Sequence, residues 1–232
     1  MNAVLVSLSK AVGQLGDPAI IRVAVKSIVI TLLIFVAGGV GLYFGLDWFF
    51  GWLGWEAGGF AQAAAAVIIA MIAFWFLFRV IALAVLQFFA DEIVAAVEAR
   101  HYPDLAERAR ALPLHRDIAN SLRGFGRAIG LNLLALPVAI VLIFTALGPA
   151  VVFLLVNAVL LGRELTDMTW LRHSGGERSA SPVTGSARFL LGAVIAAMML
   201  IPFVNLIAAI VGAAAGTHLT HDAMARKEAR NA

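Results

Sequence analysis

The 232 residues are 62% hydrophobic and 13% charged, with a formal net charge of +3. A soluble domain carries roughly 25% charged residues, so this composition excludes a soluble globular protein and indicates an integral membrane protein. The chain has no cysteine, which excludes disulfides, thiolate nucleophiles and cysteine metal ligands. The basic residues lie between apolar runs, so the expected partner is a lipid bilayer and not a nucleic acid.

Residues 1–16 are predicted to form an interfacial helix. An apolar stripe at helical spacing faces a polar side that contains Ser7, Lys10 and Gln14. The stripe consists of Val4, Leu5, Leu8, Val12 and Leu15. No basic leader precedes it, so a signal peptide is not expected. Asp17 and Pro18 then suit the cap and the first position of a new helix.

Two spanning helices are predicted next, over residues 18–46 and 57–90. Each contains a charge-free run, 28–46 and 57–78, that is long enough for a hydrocarbon core of about 30 Å. Three tryptophans, Trp48, Trp52 and Trp55, mark the connection between these helices as a membrane-interface belt.

An amphipathic cytoplasmic segment is predicted over residues 91–127, as surface helices broken at Pro103. Two longer charge-free runs follow, 131–162 and 189–217, and a polar tail occupies 218–232. Gly148-Pro149 interrupts the first run and Pro202 the second, because proline removes a helical hydrogen bond and clashes with the preceding turn.

The distribution of basic residues predicts the topology. Among seventeen Lys and Arg residues, Arg79 is the one inside an apolar run, and the connection 47–56 holds none. The positive-inside rule places this connection outside the cytoplasm and the other polar segments, with both termini, inside it. Each split run must therefore leave the cytoplasm and return to it.

The arms of the two split runs are short. Residues 131–147, 149–162, 189–201 and 202–217 would each give a helix of roughly 20–26 Å, which is at or short of a full crossing. The predicted fold is an all-α integral membrane protein with a single membrane domain, 1–232. It contains two transmembrane helices, two hemi-penetrating (re-entrant) helical hairpins and amphipathic cytoplasmic helices. Six short spans is the alternative. Irregular backbone at membrane depth must be covered by protein, so a homo-oligomer or a tight bundle is expected.

The order of several motifs resembles the CysZ-type sulfate permeases and the related etoposide-induced membrane proteins. These motifs are "DPAIIR", "LGPAVVFLLVNAVLLGRELTD" and "IPFVNLIAAIVGAAAGTHL". Within them, "GRE" at Gly162–Glu164 and "IPFVN" at Ile201–Asn205 are the most telling. The resemblance implies two spanning helices with hemi-penetrating helix pairs, oligomeric assembly, and sulfate uptake across the bacterial inner membrane.

The resemblance also implies an anion site after a proline at the start of the first long helix, where the family has Gly-hydrophobic-Arg-Arg. This sequence has Pro18 followed by Ala19, Ile20, Ile21 and Arg22, so Ala19 replaces the glycine and Ile21 the first arginine. A helix N-terminus and guanidinium donors both bind anions. Arg22, Lys26, Ala19 and Ile20 are the candidate anion-binding residues; the alternative is that Arg22 and Lys26 anchor the helix at the membrane surface.

Three polar residues inside apolar runs are candidates for an aqueous pathway: Arg79, Asn157 and Asn205. The alternative is that Arg79 extends to the lipid headgroups and that the two asparagines form hydrogen bonds between helices. His218 and His221 have the spacing of half a metal site, but no third histidine is near in sequence, so a solvated helix end is expected. No catalytic residue, metal site or cofactor is predicted, since the sequence lacks the common catalytic and phosphate-binding motifs.

Two functions remain open. The first is an inner-membrane anion permease that takes up a sulfate-like inorganic anion. Passive or channel-like permeation is expected, because the charge-free runs contain no carboxylate that could serve as a proton relay. The second is a non-transporting membrane scaffold or regulatory subunit that retains the fold with a degraded anion site.

Overall fold

The computed structural model describes residues 2–52, 54, 60–110, 114–145, 147–177, 181–201 and 204–231. Within these ranges it does not describe the side chains of residues 60–63, 75–89, 114, 117, 121, 205 and 206. The described backbone forms helices and no strands, which confirms the all-α class. The helices are α1 (Asn2–Gly13), α2 (Pro18–Trp52), α3 (Phe60–His101), α4 (Pro103–Ala106), α5 (Leu114–Val141), α6 (Gly148–His173), α7 (Gly185–Met199) and α8 (Val204–Asn231), with a 3₁₀ turn at Leu142–Phe144 after α5.

Three helices in the described part of the chain are long and apolar enough to cross a membrane: Pro18–Trp52, Ile118–Phe144 and Gly148–His173. Large apolar side chains along them are exposed, for example Leu33, Leu134 and Val141. A continuous apolar surface of this size is unfavourable in water, whereas contact with lipid stabilises it. The chain is therefore a membrane protein, as its composition predicts.

The chain divides into two compact units. The second unit, Arg22–Phe89, consists of the longer parts of α2 and α3. The Phe35 and Phe74 rings meet edge-on in this unit, with centroids 4.5 Å apart, and Gly39 lies against Phe74. The first unit, Met1–Ile21 and Ala90–Ala232, holds the remaining helices and most of the buried core.

Close backbone contact among α6, α7 and α8 builds the core of the first unit. A methyl group on Gly162 would overlap the carbonyl of Arg188, and one on Gly192 would overlap the carbonyl of Ala158. A methyl group on Gly216 of α8 would likewise overlap the carbonyl of Leu165. Only glycine permits backbones to approach this closely, as in membrane helix pairs.

The N-terminal helix α1 packs on α8 through a face that the apolar stripe does not predict. Its buried residues are Val4, Ser7 and Ala11, whereas Leu5 and Val12 are more than half exposed. Small side chains suit close helix contact. Of the apolar stripe, Val4 is in the core, whereas Leu5 and Val12 lie outside it, as expected of an interfacial helix that contacts lipid.

The helix breaks fall where the prolines predict them. After the 3₁₀ turn, α6 begins at Gly148 with Pro149 in its first turn, and the Gly148 N–H donates to the Thr145 hydroxyl at 3.0 Å. Helix α7 ends at Met199 and α8 begins at Val204, while Pro202 itself lies outside the described residues.

Helices α5 and α6 are longer than the predicted apolar arms 131–147 and 149–162, because polar residues at the outer ends of these arms are also helical. Helix α5 begins at Leu114 and α6 runs to His173. The segment 91–127 is likewise continuous with its neighbours, since residues 91–101 belong to α3 and residues 114–127 to α5. In the described residues between α3 and α5, the separate helix is the short α4 at Pro103–Ala106.

Replacing Gly192 with alanine is expected to destabilise the first unit by more than about 2 kcal/mol, the scale of overpacking in a close-packed core. The added methyl group would meet the Ala158 carbonyl and the Gly162 backbone nitrogen, both of which are main-chain atoms. Thermal unfolding in detergent measures the change. Gly185→Ala is the control on the same helix, because no atom lies within 4 Å of its added methyl group; equal stability of the two variants would contradict the close contact.

Candidate functional site

A buried carboxylate joins three helices of the first unit. Glu98 on α3 has no exposed surface, and its Oε1 accepts hydrogen bonds from His173 Nε2 on α6 at 2.9 Å and His221 Nε2 on α8 at 3.2 Å. Its Oε2 lies 3.3 Å from Nη2 of Arg172. Burial raises the pKa of Glu98, but the two histidine hydrogen bonds and the charge of Arg172 outweigh it and lower the pKa to about 2. The carboxylate is therefore ionised at neutral pH.

A second group of hydrogen-bonded side chains, Tyr102, His218 and Gln14, lies beside this carboxylate. His218 Nδ1 lies 2.8 Å from the Tyr102 hydroxyl, and His218 Nε2 lies 3.2 Å from Oε1 of Gln14. Because the Gln14 oxygen can only accept, Nε2–H donates to it, and Nδ1 accepts from the Tyr102 hydroxyl. Burial, helped by the charge of Lys10, lowers the pKa of His218 to about 4, so the imidazole is neutral.

Ring stacking holds the aromatic groups of the site in place. Tyr102 stacks on His221 with centroids 4.3 Å apart, and His173 meets His221 edge-on at 5.1 Å. Burial, with the negative charge of Asp222 adding to it, raises the pKa of Tyr102 to about 12, so its hydroxyl stays protonated. The arrangement has fixed donors and acceptors and admits little water.

The prediction that His218 and His221 form a solvated helix end is wrong, because each residue is 2% exposed. Residues 211–221 of α8 are all buried. The sequence signal was the series of small buried residues Ala208, Val211 and Ala215, which His218 continues at helical spacing. The third histidine, His173, comes from a distant part of the chain, so neighbouring sequence does not reveal it.

Asp17 precedes α2, and its carbonyl accepts the first backbone hydrogen bond of the helix, from the Ile21 N–H at 2.9 Å. The Asp17 carboxylate pairs with Nε of Arg100 at 2.9 Å, and His101 lies 3.7 Å away. The predicted anion-binding residues follow in order along α2: Ala19 is exposed, while the side chain of Ile20 is buried. Ile20 can thus offer an anion only its backbone N–H, which lies in the first turn where N–H groups lack helical partners.

Arg22 and Lys26 stand one helical turn apart on α2, both exposed, at the start of the second unit. Four residues separate them, so they share a helix face. Arg100, one of the closest cations to the Asp17 carboxylate, is a residue that the sequence did not single out; only the fold brings α3 to Asp17.

Among the three predicted intramembrane polar residues, Asn157 is the one whose side chain lies within the described residues. Asn157 on α6 donates through Nδ2 to the Phe153 carbonyl of its own helix at 2.8 Å. The side chains of Arg79 and Asn205 lie outside the described residues. Their roles stay predictions.

Comparison with known proteins assigns the family. The sequence profile described as "Sulfate transporter CysZ/Etoposide-induced protein 2.4" matches residues 7–209, and the chain belongs to this family. The resemblance found in the motifs is thereby confirmed, and the family is of a transporter type and not an enzyme type. No curated protein matches the chain significantly. His218 and His221 lie beyond the matched residues.

The neutral state of His218 predicts a pH-dependent stability. The pKa of this histidine is 6.5 in the unfolded chain and about 4 in the folded chain. Its contribution to the free energy of unfolding is therefore complete above pH 6.5 and is lost as the pH falls to 4. That contribution is on the order of 3 kcal/mol. Besides His221, the charged or titratable groups around His218 are Lys10 on α1, His101 and Tyr102 at the end of α3, and Asp222 on α8.

The expected result is a melting temperature that falls between pH 7 and 5, with a shallower fall in His218→Gln. Thermal unfolding in detergent at several pH values measures both. His115→Gln removes an exposed histidine and should retain the wild-type slope. Equal slopes for wild type and His218→Gln would show that His218 is not the responsible group.

Proposed function

We propose that this chain is an anion permease of the bacterial inner membrane that admits sulfate by passive, channel-like permeation. The family match over residues 7–209 carries this proposal. The presence of three helices suited to crossing a membrane supports it. The charge-free runs contain no carboxylate for a proton relay, which favours permeation over pumping.

The proposed anion site lies along the start of α2, at Ala19, Ile20, Arg22 and Lys26. The helix N-terminus offers N–H groups and a positive partial charge to an anion, and the two basic side chains add donors. Asp17 would repel an anion there, but its carboxylate is paired with Arg100. Arg100 therefore offsets the negative charge of Asp17.

The proposed topology has two spanning helices, at residues 18–46 and 57–90, and two re-entrant hairpins, with both termini in the cytoplasm. Helix α7 supports it, because 15 residues give a length of about 22 Å, short of the ~30 Å core. Helices α5 and α6 are longer, so for the first hairpin the proposal rests on the positive charges at both ends.

A homo-oligomer is proposed to cover the tip of the first hairpin. Phe144 is 94% exposed and Leu147 71%, and Leu142–Phe144 after α5 form a 3₁₀ turn and not an α-helix. Backbone groups without helical partners at membrane depth need protein around them. A neighbouring copy of the chain would supply that cover.

A second candidate is a non-transporting scaffold or regulatory subunit. The observation that favours it lies in the anion motif itself, where Ile21 occupies the place of the first arginine and only Arg22 matches. Loss of one bidentate donor weakens an anion site.

Flux measurements separate the two functions. Sulfate uptake into liposomes containing the full chain should exceed uptake into empty liposomes. Arg22→Ala/Lys26→Ala should reduce it about tenfold or more, since one charge-assisted hydrogen bond contributes roughly 1.5–3 kcal/mol. Arg226→Ala/Lys227→Ala removes two exposed cations from the end of α8 and should leave the flux unchanged.

Each result has one interpretation. Wild-type flux no greater than in empty liposomes favours the scaffold. Clear wild-type flux that the Arg22 and Lys26 variant retains would leave a permease but refute this anion site.

Single-cysteine labelling tests the topology, because the native chain has no cysteine. A membrane-impermeant thiol reagent applied to intact spheroplasts should label Trp52→Cys, and should label Glu177→Cys only after lysis; both positions are exposed. Leu147→Cys at the hairpin tip should resist the reagent on either side. Labelling of Leu147→Cys from outside would instead establish full crossings, and equal labelling of Trp52→Cys from both sides would refute a single orientation.

A further inference from the structure

Three side chains of metal-ligating type converge inside the first unit. Glu98, His173 and His221 each present one ligand atom, and these atoms lie within 4.8 Å of one another. They come from α3, α6 and α8, so no two of them are neighbours in sequence. Both histidines direct Nε2 at the same oxygen, Oε1 of Glu98.

We propose that Glu98, His173 and His221 bind one divalent first-row transition-metal ion, with Zn²⁺ as the probe. Two imidazole nitrogens and one carboxylate oxygen form a ligand set that such ions favour. Three protein ligands leave a fourth position for water. This inference is independent of the proposed permeation and uses none of the residues of the proposed anion site.

The distances in the cluster suit such an ion. Zinc bonds of about 2.0–2.2 Å place tetrahedral ligand atoms about 3.3 Å apart. The two Nε2 atoms lie 2.9 and 3.2 Å from Oε1. The ligands therefore need to move apart by only a few tenths of an ångström along these pairs, which rotation of the side chains provides.

The surroundings of the cluster orient its ligands. Arg172 lies 3.3 Å from Glu98 Oε2, which leaves Oε1 to face the histidines. Tyr102 stacks on His221, and His173 meets His221 edge-on. Groups of this kind around a metal fix the ligands in their binding orientation.

Burial and charge are also compatible with an ion. The side chains of Glu98 and His221 have no exposed surface, and that of His173 has 5%. The carboxylate attracts a cation. Each histidine would ligate as the neutral tautomer with its proton on Nδ1, so its Nε2 exchanges the hydrogen bond to Glu98 for the bond to the ion. Arg172 repels a dication, but its side chain is 30% exposed, so water screens part of its charge.

A bound ion would connect α3, α6 and α8. Metal that binds only the folded chain stabilises it by mass action, because the unfolded chain does not bring these three residues together. The expected role is a cross-link that holds the end of α3 and the end of α8 against α6.

Zinc binding by the full chain tests the proposal. The protein is purified in detergent without a histidine tag, stripped with a chelator, exposed to ZnCl₂ and desalted, and its metal content is measured by mass spectrometry. Wild type should retain about one Zn²⁺ per chain and melt at a higher temperature with zinc than without it. His173→Gln and His221→Gln should lose zinc affinity by more than the roughly 10–100-fold that loss of an outer partner costs.

His115→Gln is the matched control, because it removes an exposed histidine outside the cluster and should retain zinc. Loss of zinc in the two cluster variants alone supports the site. Failure of wild type to retain zinc, or equal retention by all variants, overturns it and leaves a hydrogen-bonded ion-pair cluster.

A spectroscopic measurement on wild type covers the case in which a cluster variant does not fold. Co²⁺ added to the stripped protein should give the intense visible bands of a four-coordinate or five-coordinate nitrogen and oxygen site. A spectrum that stays that of hydrated Co²⁺ would overturn the proposal without any variant.

Discussion

The first unit depends on the placement of one carboxylate, Glu98, where water does not reach it. A buried charge is very costly unless other groups compensate it, and removal of a compensating group typically costs several kcal/mol. Glu98 meets this requirement with Arg172 and His173 from one helix and His221 from another. The end of α3 is therefore tied to α6 and α8 by charge, and a divalent ion at the same oxygen would strengthen that connection.

Glycine contacts make this arrangement geometrically possible. Because Gly162, Gly192 and Gly216 allow α6, α7 and α8 to touch at the backbone, the polar ends of α6 and α8 lie close together. Asp167 on α6 pairs with Arg188 on α7 at 3.4 Å, next to the Gly162 contact. Small residues thus bring the backbones together, and paired polar groups fix how the helices are aligned.

The permease proposal concerns the other element of the fold, the long helix α2. Its N-terminus carries a paired acid, Asp17, and the basic residues Arg22 and Lys26 follow it. Arg100 links Asp17 to α3, the same helix whose last turns hold Glu98. The last turns of α3 therefore carry two ion pairs made by different side chains, Arg100 with Asp17 and Glu98 with Arg172.

The sequence by itself determined the membrane class, the all-helical fold, the family and the helix break at Gly148-Pro149. These features depend on composition, short motifs and local backbone chemistry, which neighbouring residues encode. The sequence did not reveal that Ser7 and Gln14 face the core, because apolar patterning cannot tell a lipid-facing stripe from a protein-facing one. His218 and His221 were noticed but assigned to water, and Arg100 was not noticed at all. Only the tertiary structure unites Glu98 with His173 and His221, which are 75 and 123 residues away, because close packing of three helices, and no local pattern, decides which distant side chains meet.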